Sequence, residues 1–341
     1  MNVSELHKFL FEGLPVRGLL VRLTDDWREV LRRRDVAQDA FPQPVRALLG
    51  EMAAAGVLMQ SNIKFNGSLI IQMYGDGPVK LAVTEVQPDL AFRVTAKVVG
   101  EVPERAQLDA LLNVHGQGRC AITLDPKERF PGQQPYQGVV ALHGDHREPL
   151  HRLSDVLEHY MLQSEQLDTK LILAANDDIA AGLLIQRLPV AGAGNLGGRA
   201  SDVSAGSSAA TAQTAWGRSP DEDEIGINEA YNRIAHLTST LTAEELLTLD
   251  ADTILRRLYW EEKLVRYEPV HPRFTCTCSR ERVGNMLRNL GREEVDGIVA
   301  EQGRVEIACD FCGVKYHFDS VDVGELFRPH SQQVPGSSTL N

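Results

Sequence analysis

The sequence lacks any long apolar run. No window approaches the ~18 consecutive apolar residues that a membrane-spanning helix requires. Near the N-terminus, Glu12, Pro15 and Arg17 interrupt the apolar residues, so neither a signal peptide nor a membrane anchor is expected. We therefore expect a cytoplasmic protein that has no membrane partner.

Positive charge is also scarce. The chain has 35 Lys and Arg against 47 Asp and Glu, which gives a net charge of −12. Because binding to phosphate backbones requires clustered Lys and Arg, nucleic acid is not expected as a partner. The remaining composition, 43% hydrophobic and 24% charged, is typical of a globular protein. A chain of 341 residues is long enough for one large core and a smaller module.

Catalytic motifs are missing as well. The chain contains no Gly-x-x-x-x-Gly-Lys phosphate loop, no His-Glu-x-x-His and no Gly-x-Ser-x-Gly elbow. Residues 192–197 match Gly-x-Gly-x-x-Gly, but no periodic helix follows, and a dinucleotide site needs a helix N-terminus for its phosphates. His143, His146 and His151 suggest either a second metal site or a solvated loop, and we favour the loop. We therefore expect no enzymatic activity.

Cysteine is rare, and its placement is informative. Of the five cysteines, four lie in the last fifth of the chain, as Cys276 with Cys278 and Cys309 with Cys312. Two close pairs separated by a foldable spacer suit a tetrahedral Zn(II) site, because each pair supplies two sulfur ligands. The sequence thus predicts one zinc ion per chain. Cys120 is far from the others and is expected to be a small buried hydrophobic residue.

The Cys-x-Cys spacing of the first pair indicates a labile bond. Two Cα atoms two residues apart span up to roughly 6.6–7.2 Å when the chain is extended. A disulfide tolerates at most about 6.8 Å between its Cα atoms, so this one requires a local bend. Strained disulfides are the readily reduced, regulatory ones, and the spacing therefore favours a reversible switch over a permanent cross-link.

Residues 1–190 read as one mixed domain, in which a central β-sheet packs against helices, and the fold class is α+β. Residues 64–74 and 79–83 resemble a hairpin around the turn at 75–78. Residues 136–142 are a further predicted strand, and residues 153–162 carry apolar side chains at helical spacing.

Residues 191–224 form a predicted flexible linker that is rich in Gly, Ala and Ser and then acidic. Seventeen of the twenty-five residues at 191–215 are Gly, Ala or Ser, a composition that cannot bury enough surface to become ordered. Residues 329–341 are predicted to be a disordered tail.

Residues 225–270 are predicted to be a helical middle region. Thr242 with Glu245 fits a capping box, and apolar residues recur at helical spacing on either side of it. Such short helices are unstable in isolation, so we expect them to pack on the N-terminal domain.

Residues 271–328 are predicted to be a small zinc-binding domain. Apolar spacing indicates a helix that ends near Gly291 and a second helix around Val295. Strands are expected on both sides of the pair formed by Cys309 and Cys312. So small a core usually needs a metal or a covalent cross-link, and metal binding and folding should therefore be one equilibrium.

These residues, taken together, resemble the heat-shock protein thirty-three family of redox-regulated chaperones. The resemblance covers nearly all of the chain except residues 191–224 and the tail. It is carried by Cys276-Thr277-Cys278, Cys309-Asp310-Phe311-Cys312, Tyr316, Phe318, Asp319, Leu241-Thr242, Glu245-Leu246, Arg257-Leu258, Glu261-Glu262, Lys64-Phe65, Gly75-Asp76-Gly77-Pro78, Tyr136-Gln137-Gly138, Tyr160, Ser164-Glu165-Gln166, Gln186 and Leu188-Pro189. The Gly/Ala/Ser stretch at 191–215 is longer than this family's pattern leads us to expect.

The resemblance implies a holdase that needs no ATP. In such a protein the reduced form holds zinc through all four cysteines and is inactive. Oxidation to the disulfides Cys276–Cys278 and Cys309–Cys312 releases zinc, unfolds the zinc-binding domain and the middle region, and yields a homodimer that captures unfolding client proteins. The residues themselves also indicate metal-dependent folding and a labile cysteine pair, whereas client binding rests on the resemblance alone.

Client binding has a candidate surface in the middle region. If the helices at 225–270 detach, they expose either their own apolar side chains or the surface that these side chains cover. The tentative client-binding residues are Ile234, Leu237, Leu246, Leu247, Leu255, Leu258, Tyr259 and Trp260.

Two other functions remain open at this stage. A constitutive structural zinc-ribbon module would bind a partner only in its metal-loaded form. A thiol oxidoreductase is the weaker alternative, because Cys309-Asp310-Phe311-Cys312 follows a strand but lacks the βαβ context of such enzymes.

Overall fold

The structure is a computed structural model, and it describes residues 3–128, 134–188 and 222–328. The predicted linker at 191–224, apart from its last three residues, and the predicted tail at 329–341 lie outside the described residues. Within those residues no helix has both the length and the apolar character to cross a membrane.

Among the described residues, nine strands lie before residue 188 and four follow after residue 263. They are β1 (Glu5–Phe11), β2 (Val16–Leu23), β3 (Gly67–Tyr74), β4 (Val79–Val86), β5 (Ala91–Val98), β6 (Arg119–Pro126), β7 (Tyr136–Ala141), β8 (Thr169–Ala175), β9 (Ala180–Arg187), β10 (Leu264–Arg266), β11 (Arg273–Phe274), β12 (Val305–Ala308) and β13 (Lys315–Phe318).

Helices lie between these strands and dominate the second half. They are α1 (Asp25–Val36), α2 (Gln43–Asn62), α3 (Leu108–Leu112), α4 (Leu153–Glu165), α5 (Glu222–Ser239), α6 (Ala243–Thr248), α7 (Ala251–Tyr259), α8 (Arg280–Leu290), α9 (Arg292–Gln302) and α10 (Ser320–Leu326). The α+β class predicted from the sequence is therefore correct, as are the hairpin β3–β4, the strand β7 and the helix α4.

Helix α2 is the centre of the first domain. Almost every residue from Val45 to Gln60 is buried, because the helix is apolar around its whole circumference and has a sheet on either side. Gly56 lets β4 approach closely, since a Cβ there would lie 2.7 Å from the Thr84 Cγ2. The helix contacts both sheets and joins their inner faces into one core.

Two sheets enclose α2. The first has the strand order β10-β1-β2-β9-β8 and is antiparallel throughout. The second has the order β11-β5-β4-β3-β6-β7 and is antiparallel except for β11, which runs parallel to β5. The first domain thus has three layers, with the helix between two sheets.

The five-stranded sheet is buried on both faces. Along β2, Leu19 and Val21 belong to the core around α2, whereas Val16 and Leu20 face a second core. Alternate side chains of a strand point to opposite faces, so a strand buried on both sides has an almost continuous apolar sequence. Strand β9 is such a strand, since Ala180 to Gln186 are all buried.

Helices α5, α6 and α7 cover the outer face of this sheet, as the sequence predicted. The capping box of Thr242 and Glu245 is present at the start of α6, and the side chain of Asp250 caps α7. The Arg22 guanidinium of β2 donates hydrogen bonds to the carbonyls of Leu246 and Leu247, at 2.6 and 3.3 Å. These bonds satisfy carbonyls at the end of α6 that lack a helical partner.

The segment after α7 differs from the sequence interpretation. It was read as helical up to residue 270, but β10 pairs with β1, and β11 then pairs with β5. A bridge between Leu6 and Val270 lies between these two pairings. Strands of two or three residues carry no periodicity, and open sheet edges far away in sequence determine them. The segment therefore contacts an edge of each sheet.

The remaining residues form the cysteine module, which we define as residues 275–328. Helix α8 ends at Gly291, α9 follows it, and β12 and β13 form a two-stranded sheet, as predicted. Helix α10, with a capping box from Asp319, was not anticipated. The buried core of the module is small and consists of Leu287, Val295, Val305, Phe318 and Val323.

Candidate metal centre

The four cysteines predicted to bind metal come together in the cysteine module. Cys276 and Cys278 lie in the loop between β11 and α8, and Cys309 and Cys312 lie in the turn between β12 and β13. Their Sγ atoms all lie within 4.8 Å of one another. The distances from Cys276 to Cys309 and from Cys278 to Cys312 are 3.6 and 3.4 Å.

Local hydrogen bonds shape the turn that holds the second pair. The Cys309 N–H donates to the Val314 carbonyl at 2.9 Å, and the Gly313 N–H donates to the Cys309 carbonyl at 2.8 Å. Gly313 has a φ of +70°, which is in the left-handed region that glycine adopts at low cost. The turn therefore directs both sulfurs to the side of the hairpin that faces the first pair.

The sulfur cluster has the size of a tetrahedral thiolate site. With Zn–S bonds of about 2.3 Å, the sulfurs of a tetrahedron are about 3.8 Å apart. Two of the observed separations, 3.6 and 3.4 Å, lie slightly below that value, all the others are at most 4.8 Å, and all four residues are free thiols. Thiolate ligands suit zinc and other soft ions, whereas calcium and magnesium prefer oxygen. The donor set therefore fits zinc, held by Cys276, Cys278, Cys309 and Cys312.

The environment favours ionisation of Cys278 over that of Cys276 and Cys312. Burial raises the pKa of Cys276 and of Cys312. Burial acts in the same direction on Cys278, but a hydrogen bond from Tyr316 and the contacts with the other three thiols bring the pKa of Cys278 below its ordinary value. The Tyr316 hydroxyl donates to the Cys278 sulfur at 3.2 Å, and this bond raises the pKa of Tyr316. Full ionisation of the cluster therefore calls for a cation among the sulfurs.

Other candidate metal ligands do not gather in this way. Among the described residues, no other set of three or more His, Cys, Asp or Glu side chains brings its ligand atoms together. His143 interacts with the Gly144 carbonyl, and His151 lies beside Asp109. Cys120 is fully buried in the first domain, and burial raises its pKa to about 12, so this thiol is unreactive.

The tentative client-binding residues occupy three environments. Ile234, Leu246, Leu255, Leu258 and Tyr259 are buried against the sheet, whereas Leu237 and Leu247 are partly buried at its edge. Trp260 differs from the prediction that it would become exposed, because its side chain is already 74% exposed. Position 260 follows the last residue of α7, where the apolar face of the helix ends.

The surface beneath the helices was not identified from the sequence. It consists of Phe9, Phe11, Val16, Leu20, Ala174, Ile179, Ala181, Leu183 and Ile185. Phe11 packs edge-on against Tyr259, with ring centroids 5.0 Å apart. The available signal was the near-continuous apolar character of β2 and β9, which predicts a sheet covered on both sides.

Comparison with known proteins identifies the family. The sequence model of the family described as Hsp33 protein matches residues 4–319. The chain belongs to the Hsp33 family. A protein named 33 kDa chaperonin from Chromobacterium violaceum is 44% identical to this chain over 330 residues, which cover 96% of each protein. A protein of the same name from Methylobacillus flagellatus is 40% identical over 331 residues, again covering 96% of each.

A solved structure shares the fold of this Hsp33 family member. The crystal structure of the 33 kDa chaperonin of Thermotoga maritima, a heat shock protein 33 homologue, superimposes with a TM-score of 0.70. The aligned region covers 96% of this chain and 98% of the other, at 18% sequence identity. At that identity the similarity establishes the architecture alone.

Proposed function

We propose that this chain is a redox-regulated holdase chaperone that requires no ATP. The reduced form with zinc bound is the resting state, and oxidation of the four thiols produces the form that binds unfolding proteins. The observation that carries the proposal is the gathering of four free thiols into one metal-sized cluster, in a module whose apolar core is otherwise minimal. The names of its relatives, 33 kDa chaperonins, support the chaperone role.

Stability of the cysteine module depends on its four sulfurs. Five buried apolar side chains give a core too small to compensate for the ordering of more than fifty residues. Bound zinc supplies an apparent folding free energy of about 10–16 kcal/mol in small zinc domains. Loss of sulfur ligands therefore unfolds the module.

Oxidation removes these ligands. Two thiols lose two electrons and two protons to an oxidant such as hydrogen peroxide, a disulfide forms, and the peroxide is reduced to two molecules of water. We assign the pairs as Cys276–Cys278 and Cys309–Cys312. A disulfide brings two sulfurs to about 2.05 Å, far below the about 3.8 Å between sulfurs around a tetrahedral zinc ion, so the four-sulfur arrangement is lost.

Unfolding of the module then weakens the attachment of the middle helices. Strands β10 and β11 connect α7 to the module, and their pairing with β1 and β5 holds the end of the segment in place. When these strands detach, α5 to α7 lose a fixed end, and the buried cluster between helices and sheet opens. That cluster contains eighteen buried side chains, nine from residues 9–185 and nine from residues 231–259.

The opened cluster is the proposed client-binding surface. An exposed apolar patch larger than a few hundred square ångströms is a typical interaction site, and unfolding proteins expose complementary apolar segments. The residues are Ile234, Leu237, Leu246, Leu247, Leu255, Leu258 and Tyr259 on the helices, together with the sheet residues beneath them. We expect the activated form to be a homodimer and to work in a reducing compartment such as the cytoplasm, where the resting thiols persist.

The test is an oxidant titration of the reduced, zinc-loaded chain. Hydrogen peroxide or hypochlorous acid is added in steps while released zinc, remaining thiols and aggregation of a denatured client are measured. Four thiols and one zinc ion should be lost in parallel with the appearance of aggregation suppression. A Cys120→Ala variant is the matched control and should behave identically. Full suppression while all four thiols remain metal-bound would contradict the proposal.

A constitutive interaction module is the second candidate. Helix α8 exposes two large apolar side chains one turn apart, Met286 and Leu290, on the folded module. A partner bound there would dissociate on oxidation, whereas the proposed chaperone gains client binding on oxidation. The titration separates the two functions, because only the chaperone gains binding as thiols disappear.

A further inference from the structure

The first domain contacts the candidate metal centre directly. These contacts go through α1 and β5 and do not involve the middle helices α5 to α7. They involve the residues that lie between the cysteines of each motif, Thr277 in the first and Asp310 and Phe311 in the second.

Arg34 is the first of these contacts. It lies on α1, is only 5% exposed, and packs over the ring of Phe41 at 4.6 Å. Its guanidinium donates hydrogen bonds to the carbonyl oxygen of Asp310 and, at 2.7 Å, to the Thr95 hydroxyl, and it pairs with Asp39. The Thr95 hydroxyl also donates to the Asp310 carbonyl. One peptide group between two metal ligands thus accepts two hydrogen bonds from the first domain.

Arg93 contacts both cysteine motifs. Its guanidinium lies over the Phe311 ring, 4.2 Å from the centroid, and donates to the Thr277 hydroxyl at 3.2 Å. A salt bridge of 2.5 Å to Glu85 on the neighbouring strand fixes its orientation. Because one side chain touches the residues between the ligands of both pairs, it constrains the two pairs relative to each other.

Close packing accompanies these polar contacts. A Cβ at position 313 would lie 2.6 Å from the Cβ of Ala37 on α1, so only glycine permits this approach of the turn. Arg33 on the same helix interacts with the Cys312 sulfur and lies over the ring of Phe274, 5.0 Å from its centroid. Four thiolates and one divalent cation carry a net charge of −2, and the positive arginine side chains on the facing surface are complementary to it.

We propose that Arg34 and Arg93 are positioning residues of the metal centre, which hold the two ligand pairs in register from the first domain. The proposal rests on the metal site proposed above. Substitution of a residue that orients a metal ligand typically lowers metal affinity roughly 10–100-fold. In this protein Arg34 and Arg93 belong to another domain, so metal binding and domain docking are coupled, and each strengthens the other by the same factor.

Because of this coupling, oxidation of the thiols changes which surface of the first domain is exposed. When the module loses its sulfur ligands, the Asp310 carbonyl and the Phe311 ring leave the two arginines. The surface of α1 and β5 then becomes free even before the middle helices detach. Conversely, the docked arginines slow the release of metal from the reduced protein and delay oxidation of its thiols.

Metal release from the full-length reduced protein tests the proposal. Arg34→Met and Arg93→Met are compared with Arg28→Met, a matched control, since Arg28 lies on α1 and pairs with Asp25 within the same helix. Transfer of zinc to a chromogenic chelator should be about tenfold faster for each of the two variants. It should be unchanged for Arg28→Met and intermediate for Arg93→Lys, which keeps a cation over Phe311.

A double-mutant cycle isolates the contact from general effects on folding. Arg93→Met, Phe311→Leu and the double variant are measured in the same assay, and the effects should be non-additive because both changes remove one interaction. Hydrogen exchange at residues 33–38 and 91–96 gives a second readout, and protection there should fall on zinc removal in the parent protein and should already be low in the arginine variants.

The possible outcomes separate this proposal from the proposed function. Variants that bind one zinc ion and release it at the parental rate, or a cycle with additive effects, would overturn the positioning role and leave the metal site intact. A parent protein that binds no zinc would overturn the metal site itself. Should Arg34→Met fail to fold, the cycle between Arg93 and Phe311 still decides the question.

Discussion

Two segments of this chain dock on the first domain by different physical means. The middle helices α5 to α7 bury nine apolar side chains against an apolar sheet, and each large one contributes about 1.5–3 kcal/mol. The cysteine module instead contacts the first domain through two arginines, which reach the Asp310 carbonyl, the Thr277 hydroxyl and the Phe311 ring. Apolar burial does not respond to redox state, whereas a thiolate cluster does. In the proposed function, this difference is what lets oxidation of four sulfurs expose a large apolar surface.

The order of these segments along the chain matters for that control. The module lies at the end of the segment that covers the sheet, and β10 and β11 join them. The module that we propose to depend on metal therefore follows directly after the segment that docks by apolar burial. The following predictions test this division, beginning with the largest expected effect.

Removal of metal should unfold the cysteine module and leave the first domain folded. A strong chelator applied to the reduced protein removes about 10–16 kcal/mol of apparent stabilisation from a module with five buried core residues. Hydrogen exchange should show loss of protection in α8, α9 and β12, with protection retained in α2. Renewed addition of zinc should restore it. A metal-free protein with a fully protected module would disprove the dependence.

Tyr259→Ala should loosen the middle helices without any oxidant. The side chain is buried, packs edge-on against Phe11 and shares a 2.6 Å hydrogen bond with Thr238. Deletion of a large buried aromatic side chain costs about 3–5 kcal/mol. The reduced variant should therefore suppress client aggregation and be cleaved faster by protease in residues 229–259.

The neighbouring tryptophan is the control for that variant. Trp260→Ala removes an exposed ring one residue further along and should leave both aggregation suppression and protease resistance unchanged. Equal effects of the two substitutions would show that burial against the sheet does not hold the segment.

Tyr316→Phe should weaken the metal centre while it leaves the apolar interface intact. The substitution removes the hydrogen bond to the Cys278 sulfur and keeps the ring. Loss of such a neighbouring hydrogen bond lowers metal affinity roughly 10–100-fold. Zinc competition titrations measure the effect, and Tyr267→Phe, at an exposed tyrosine, should give the parental affinity. An unchanged zinc affinity in Tyr316→Phe would show that this hydrogen bond does not contribute to metal binding.

The first domain and the cysteine module should respond to pH in opposite directions. Burial raises the pKa of Glu51 on α2 to about 7, although Arg152 acts against the shift. A carboxyl whose folded-state pKa is raised contributes stability that is complete below its unfolded pKa of about 4.5 and is lost as the pH rises through about 7. The module, whose thiols must be ionised to hold metal, should instead weaken as the pH falls.

Glu51→Gln isolates the first of these responses. Glu51 lines an open surface groove beside Arg152, so solvent screens part of the effect of burial. We therefore expect a gain in unfolding free energy of about 1–2 kcal/mol at about pH 8 and almost none at about pH 5. Thermal unfolding of the first domain in the parent protein and in Glu51→Gln, at the two pH values, measures this gain in stability. An equal shift in melting temperature at both pH values would mean that the carboxyl does not titrate as described.

Local patterns in the sequence predicted the local structure well. The Cys-x-Cys and Cys-x-x-Cys motifs predicted two pairs of neighbouring thiols, which the structure brings into one cluster, and Thr242 with Glu245 predicted the start of α6. Cap and turn geometry extend over only a few residues, so short motifs suffice to predict them. The hairpin β3–β4 followed from its turn residues in the same way. The two-residue strand β11 carried no such signal, since its position depends on the free edge of β5.

The sequence by itself determined the four-thiol donor set, the fold class and the helical nature of the middle segment. These depend on residue type and on spacings of a few residues along the chain. Only the tertiary structure determined which sheet face the helices cover and that Arg34 and Arg93 contact the residues between the cysteines. Arg34 and Asp310 are 276 positions apart, and no periodicity or motif links residues so distant. Such a pair meets only because two separately folded surfaces have complementary shape and charge.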